Sequence, residues 1–145
     1  GHKPSALGLA SGAVSGLVGI TPAAGFVSAQ AALAIGAITA VACYFGATSL
    51  KRWFKYDDSL DAFGIHGVGG IIGAVLTGVF VSTQISGVEG SVLKQVAGVL
   101  ITVLYSGVVS VLLLKLIALL GGGLRVDKDD EREGLDVAVH GERVE

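Results

Sequence analysis

An all-α chain that crosses a membrane four times and ends in a short charged tail is expected here, on three observations. Apolar residues make up 52% of the 145 and charged residues 15%, against roughly 25% charged in soluble domains, and the mean hydropathy is +0.75. The charge-poor residues fall into four runs, at about 4–20, 25–50, 62–82 and 96–120, each near the ~20 residues a helix needs to cross the hydrocarbon core. Glycine, at 23 residues, is abundant in these runs; it weakens a soluble helix by about 1 kcal/mol each but lets membrane helices approach closely. The domain reading is therefore a transmembrane region over 1–123 and a tail over 124–145.

The first run starts at Pro4 and ends near Ile20, because Thr21-Pro22 follows and proline cannot continue a helix past its first turn. Ala23 to Ser28 reads as a short re-entry before the second run. That run ends on Lys51-Arg52-Trp53-Phe54-Lys55-Tyr56, the mixture of basic and aromatic residues expected at a membrane interface. Asp58-Ser59-Leu60-Asp61 reads as an N-cap followed three residues later by an acid, opening the third helix; Asp57, Asp58 and Asp61 are thus capping groups before they are ligands. Thr83 to Gly90 is a polar loop. The fourth run carries one charge, Lys115, expected to snorkel toward the nearer surface, and Gly121-Gly122-Gly123 closes it. If the runs alternate in direction, Lys3, Lys51, Arg52, Lys55, Arg125 and Lys128 fall on one side and Lys94 on the other, so the positive-inside rule places the tail in the cytoplasm. The chain contains no methionine and begins Gly1-His2-Lys3-Pro4; it is expected to continue a longer one.

Within the helices, Gly8, Gly12 and Gly16 recur every fourth residue, as do Gly70, Ala74 and Gly78, and also Gly69 and Gly73. This is the small-residue spacing that lets two backbones meet. His66 is the sole histidine in a run. On a regular helix, positions 66, 70, 73 and 77 share one face: His66, Gly70, Gly73 and Thr77, an imidazole beside a strip with almost no side-chain volume. Two readings stand side by side. An ionisable group inside a membrane marks a pathway or proton relay by default, and a neutral histidine bonded to a neighbouring helix is the plainer alternative. Ser11 and Ser15 lie mid-helix, where serine often bonds its own backbone. Cys43, the one cysteine, supports neither a disulfide nor a metal cluster and reads as a small packing residue. An intramembrane enzyme using His66 as a base needs a second catalytic group, and the runs offer none. No enzymatic activity, cofactor, metal or nucleic-acid partner is expected.

Four segments taken together carry a family resemblance: Lys-Pro-Ser-Ala-Leu-Gly at 3–8, Gly-Leu-Val-Gly-Ile-Thr-Pro-Ala-Ala-Gly at 16–25, Asp-Asp-Ser-Leu-Asp-Ala-Phe-Gly-Ile-His-Gly-Val-Gly-Gly at 57–70, and Glu-Arg-Glu-Gly-Leu-Asp at 131–136 with His-Gly-Glu at 140–142. In order and spacing they resemble the ammonium transporter (Amt) family, with the tail motif favouring that branch over the Rhesus glycoproteins. The resemblance implies eleven spanning helices, of which this chain would be the eighth to eleventh, a homotrimer with one pore per protomer, and a cytoplasmic C-terminus in the cell membrane. It implies that His66 is the second of two pore histidines, the first lying upstream, and that Ser11 lines the inner half of the pore. It implies that Gly134, Asp136, His140, Gly141 and Glu142 form a regulatory tail coupling the protomers, with a PII-type nitrogen regulatory protein docking on the same face in many prokaryotic members. Ala138 stands where plant members carry a phosphorylatable threonine. Ammonium or ammonia is the implied substrate, and this chain by itself is expected to be inactive. A non-conducting structural or sensor paralogue of the same fold is the alternative.

Overall fold

A computed structural model describes residues 5–121 and 123–142. The expectations placed on Lys3, Pro4, Gly122 and residues 143–145 lie outside the described residues. The helices are α1 (Ala6–Ile20), α2 (Ala29–Phe45), α3 (Lys51–Phe54), α4 (Val68–Phe80), α5 (Thr83–Ser86), α6 (Val92–Gly121), α7 (Lys128–Glu133) and α8 (Leu135–Ala138). A 3-10 turn, Thr21–Ala23, extends α1; a wide π-helical turn, Gly46–Leu50, joins α2 to α3; a second, Phe63–Gly67, leads into α4. Four stretches are long and apolar enough to cross a membrane: Ala6–Ala23, Ala29–Phe54, Phe63–Phe80 and Val92–Gly121. The four expected spans are present, with bounds shifted by a few residues. After the 3-10 turn Thr21–Ala23, residues 24–28 make a turn and bend, with Gly25 at φ +82°.

Side-chain oxygens set the helix starts. Ser5 Oγ accepts from the Gly8 amide at 3.0 Å, Ser28 Oγ from the Ala31 amide at 3.3 Å, and Ser91 Oγ from the Lys94 amide at 3.3 Å, each satisfying one orphan donor. The Ser82 amide donates to the Phe26 carbonyl at 2.8 Å, tying the turn after α4 to the bend after α1.

The chain forms two compact units, residues 1–101 and 102–145, divided within α6. The first unit packs α1, α2 and α4 against one another. Its interior is small or polar: Ala23, Ile35, Cys43 and Ile65 are buried, as are Ser15, Thr39 and Thr77. Leu7, Leu9, Leu17 and Leu33 point outward. Lipid is as apolar as leucine, so helices in a bilayer meet through small residues and leave large apolar ones to the surroundings.

The helix contacts are backbone contacts. α1 and α2 cross at Gly16 and Gly36, where a methyl group on Gly16 would stand 3.6 Å from the Gly36 oxygen. α1 and α4 meet at Gly19 and Gly73; a methyl group on Gly73 would stand 2.3 Å from the Gly19 oxygen. Gly78 lies against the start of α6, its missing methyl 2.9 Å from Val92 Cα. Of the glycines singled out by spacing, Gly12 and Gly70 face open space within the described residues. In the second unit, Arg125 grips Glu131 through Nε at 3.1 Å and through Nη2, and the Gly134 amide closes α7 on the Asp130 carbonyl at 3.0 Å.

These contacts rank the glycines. In the 145-residue chain in detergent, Gly73→Ala is expected to lower unfolding stability by about 1–3 kcal/mol, the usual scale of overpacking, while Gly12→Ala, which meets nothing within 4 Å, leaves it unchanged or slightly raised. Thermal unfolding followed by circular dichroism checks the pair; equal melting temperatures would contradict the packing described.

Candidate functional site

The third span starts from a loop held by charge. Lys51 donates through Nζ to Asp61 Oδ1 at 2.9 Å and to the Asp58 carbonyl. Asp58 Oδ2 accepts from the Phe63 and Gly64 amides, both at 3.1 Å. Asp58 thus does the capping expected of it, but it reaches amides five and six residues ahead instead of the two or three of an ordinary N-cap. Asp61 is not the reciprocal acid of a capping box: it sits at φ +53° and holds Lys51. Partial burial pushes the Asp58 carboxyl up, but the Gly64, Phe63 and Ala62 amides and the Lys51 ammonium outweigh this and hold it below the usual carboxylate range. Tyr56 packs edge-on against Phe63, ring centroids 5.6 Å apart.

What Asp58 caps is the π-helical turn that carries His66. In such a turn the bonds run five residues rather than four, so the helix is locally under-wound. Ile65 is buried and its carbonyl accepts from the Cys43 thiol at 3.3 Å. His66 is exposed. Gly70, the next residue on its side, is open to space, but Gly73 is buried against Gly19. Thr77 is buried too, donating to its own Gly73 carbonyl at 2.8 Å. The single face expected from 66, 70, 73 and 77 is therefore divided: His66 and Gly70 lie on the open side, and Gly73 and Thr77 belong to helix packing. The expectation assumed a regular 3.6-residue turn throughout, and the π-turn breaks that period at His66; Gly70 and Gly73 both lie in the regular helix and differ because only Gly73 meets α1.

Ser11 lies elsewhere. It lines a cleft of about 300 Å³ with Ser15, Cys43, Thr48, Asp61 and Ile65, and His66 is not part of that lining. Ser15 Oγ donates to the Ser11 carbonyl at 2.7 Å and Thr48 Oγ1 to the Tyr44 carbonyl at 2.6 Å, so these hydroxyls serve their own helices. Ser11 and Ile65 thus line the cleft, and His66, the neighbour of Ile65 in the π-turn, does not. Cys43, read as packing alone, has a hydrogen-bonding role that its lone apolar setting gave no signal of.

In the tail, the motif residues converge locally. Gly134 takes φ +98°, ψ 131° between α7 and α8, and Gly141 takes φ +66°, both angles that favour glycine. The Glu142 amide donates to the Asp136 carbonyl at 2.8 Å and the His140 amide to the Leu135 carbonyl at 3.3 Å. The Arg125 guanidinium, bonded to Glu131, holds that carboxyl below the usual carboxylate range despite some burial.

Comparison with known proteins gives a consistent set of relatives. The family model described as the Ammonium Transporter Family matches residues 1–145. A protein of Aquifex aeolicus named ammonium transporter is 50% identical over 149 residues, covering 97% of this chain and 34% of that protein. An ammonium transporter of Bacillus subtilis is 41% identical over 150 residues, covering 97% of this chain and 37% of that protein. Among solved structures, Mep2 of Saccharomyces cerevisiae superposes with a TM-score of 0.79 at 38% identity, over 89% of this chain and 32% of that one. The chain spans about a third of the length of these relatives.

The Asp58 cap yields a test. Its folded pKa is depressed below the unfolded value of about 3.9, so its contribution to stability is complete above that value and is lost as pH falls through the folded pKa. Asp58→Ala is expected to reduce hydrogen-exchange protection of the Gly64 amide roughly tenfold at neutral pH, the scale of a lost cap, and to remove the part of the wild-type acid destabilisation that begins below about pH 4. Unaltered exchange at Gly64 would show that the carboxylate does not hold the turn.

Proposed function

The chain belongs to the ammonium transporter family, and from that membership we propose that it forms part of a multi-pass membrane protein that moves ammonium, with His66 in the conducting path. The observation that carries this reading is the side chain of His66, an ionisable group within a candidate span, standing exposed beside the open Gly70 while Gly69, Gly73 and Thr77 of the same helix are buried. A polar side chain held at membrane depth on an unpacked side is where a facing wall, supplied by the further two thirds of such a protein, would complete a narrow passage.

The physical logic favours a split carrier. Stripping water from an ammonium ion is far more costly than passing neutral ammonia through an apolar pore. An imidazole titrates near physiological pH and exchanges protons through either ring nitrogen, so it can relay the proton while the neutral gas crosses. In this reading Ser11 and its cleft belong to the inner side of the path, and Gly73 and Thr77 serve by holding α4 on α1. The complete protein is a homotrimer with one pore in each protomer and its tail in the cytoplasm, as the distribution of Lys and Arg supports. Gly134, Asp136, His140, Gly141 and Glu142 form a regulatory element there, on a face open to a PII-type protein. The role is transport, with no chemical transformation of the substrate, and the 145 residues alone do not conduct.

In the complete protein reconstituted in liposomes, His66→Ala is expected to cut net ammonium uptake by about a hundredfold, the range of a lost proton-transfer group, with the trimer intact by size-exclusion chromatography. Liposomes holding only these 145 residues are the blank. Unchanged uptake and unchanged discrimination against potassium in the variant, or saturable uptake by the blank, would overturn the reading.

Gly134 tests the tail. Its φ of +98° is strained for any residue with a Cβ. Gly134→Asp in the complete protein is expected to hold uptake low and to do so dominantly in trimers mixed with wild-type protomers. Mixed trimers that transport in proportion to their wild-type content would show that the tail does not couple them.

A further inference from the structure

We propose that the π-helical turn Phe63–Gly67 is a register device that aims His66 away from the helix interface, and that Cys43 is the positioning residue that holds it. The inference rests on the pore role proposed for His66, and the experiment below separates the two.

An α-helical residue advances about 100° around the axis. Counting back from Gly73 on a regular helix, position 66 lies seven residues away and within about 20° of the same direction. Gly73 is buried against Gly19 of α1. A regular α4 would therefore aim the imidazole at α1, into a seam where even a methyl group on Gly73 would stand 2.3 Å from the Gly19 oxygen. The structure shows the opposite arrangement. Ile65 takes the inward place and His66 is outside. The π-turn Phe63–Gly67 contributes to this, because its i→i+5 bonding winds less per residue than an α-helix and His66 and Gly67 lie within it.

A π-turn is rare because it is not the preferred winding of the chain, so something must select it. Two contacts do so. The Cys43 thiol donates to the Ile65 carbonyl at 3.3 Å, within the buried interior, fixing the residue that replaces His66 in the seam. Beside it, Gly46 and Gly64 bring two backbones together: a methyl group on Gly46 would stand 2.9 Å from the Gly64 oxygen, and one on Gly64 would stand 2.8 Å from Ala47 Cα. Gly46 itself opens the other π-helical turn, Gly46–Leu50. The two wide turns thus lie backbone to backbone at one level, and the thiol spans them one helical turn before Gly46. Cys43 meets the third span at the Ile65 carbonyl and beside Gly69, where a methyl group would stand 3.0 Å from its sulfur; it acts on His66 through the backbone of that span.

The test uses the complete protein in liposomes with Cys43→Ala, Cys43→Ser, His66→Ala and the Cys43→Ala/His66→Ala double variant. Three quantities are read: ammonium uptake, its ratio to potassium leak, and the rate at which diethyl pyrocarbonate modifies His66. Cys43→Ala is expected to lower uptake about three- to tenfold, the scale of one lost buried hydrogen bond, and to change the His66 modification rate, with trimer content unchanged. Cys43→Ser, which keeps a donor, restores both. The double variant is no worse than His66→Ala alone, the non-additivity expected of residues acting through one group. Wild-type modification rate and uptake in Cys43→Ala, losses that Ser does not restore, or additive losses in the double variant would overturn the inference. A changed modification rate with uptake indifferent to every variant would leave the register device standing and sink the pore role of His66 instead.

Discussion

At Gly19 the first helix has no room for a side chain on either flank. A methyl group there would stand 2.3 Å from Thr39 Oγ1 of α2, while the Gly19 oxygen fills the place that a methyl group on Gly73 of α4 would take. Three helices therefore meet around one residue, α4 through its backbone at Gly73 and α2 through the Thr39 side chain, and everything the first unit positions depends on that junction. Contact of this kind substitutes for the hydrophobic effect, which gives membrane helices no reason to associate, since their alternative neighbour is hydrocarbon. Dispersion between closely apposed backbones is weak per atom and adds up over many contacts. It also tolerates little change, because one added carbon forces the helices apart.

The junction explains the inverted appearance of the unit. Thr39 and Thr77 are buried at 0% and 4% exposure, while Leu7, Leu9 and Leu33 are near 80%. In water this would be an aggregation-prone surface; in a bilayer it is the ordinary arrangement. Thr77 and Ser15 return their hydroxyls to carbonyls on their own helices. Thr39 Oγ1 has no hydrogen-bond partner among the described residues, and a buried hydroxyl left so costs about 1–3 kcal/mol. That a costly group stands at the tightest crossing indicates how strongly the packing there outweighs local hydrogen bonding.

The candidate site is arranged by the same means. α4 is locked to α1 at Gly73, so the direction of every side chain upstream on the third span is set by how the helix winds between that lock and the Asp58 cap. Asp58 anchors the start through the Phe63 and Gly64 amides, and Lys51 anchors Asp58 and Asp61 to the end of the second span. Lys51 is therefore committed within its own loop, which leaves Arg52 and Lys55 as the basic groups of that segment with a side chain turned outward. Between the two anchors the π-turn loosens the winding at His66. An imidazole on the open side and a packed seam behind it are consequences of one local change in helical period.

Composition and charge-free run length were enough to determine that the chain is α-helical and membrane-spanning, with four crossings in the places found, because a bilayer admits only structures that satisfy their own backbone and are long enough to cross. The motif segments determined the family, and the spacing of small residues marked Gly16, Gly69, Gly73 and Gly78 as packing positions. Gly12 and Gly70 carry the same spacing and face open space, since the pattern records which residues permit an approach and not which helix makes it. Tertiary structure alone decided the direction of His66. Periodicity assigns faces by assuming 3.6 residues per turn, and it cannot register a π-turn selected by contacts from residues about twenty positions earlier, the Cys43 thiol on the Ile65 carbonyl and Gly46 on Gly64. Those contacts exist only once the second and third spans lie side by side, which is why the sequence placed His66, Gly73 and Thr77 on one face and the folded chain does not.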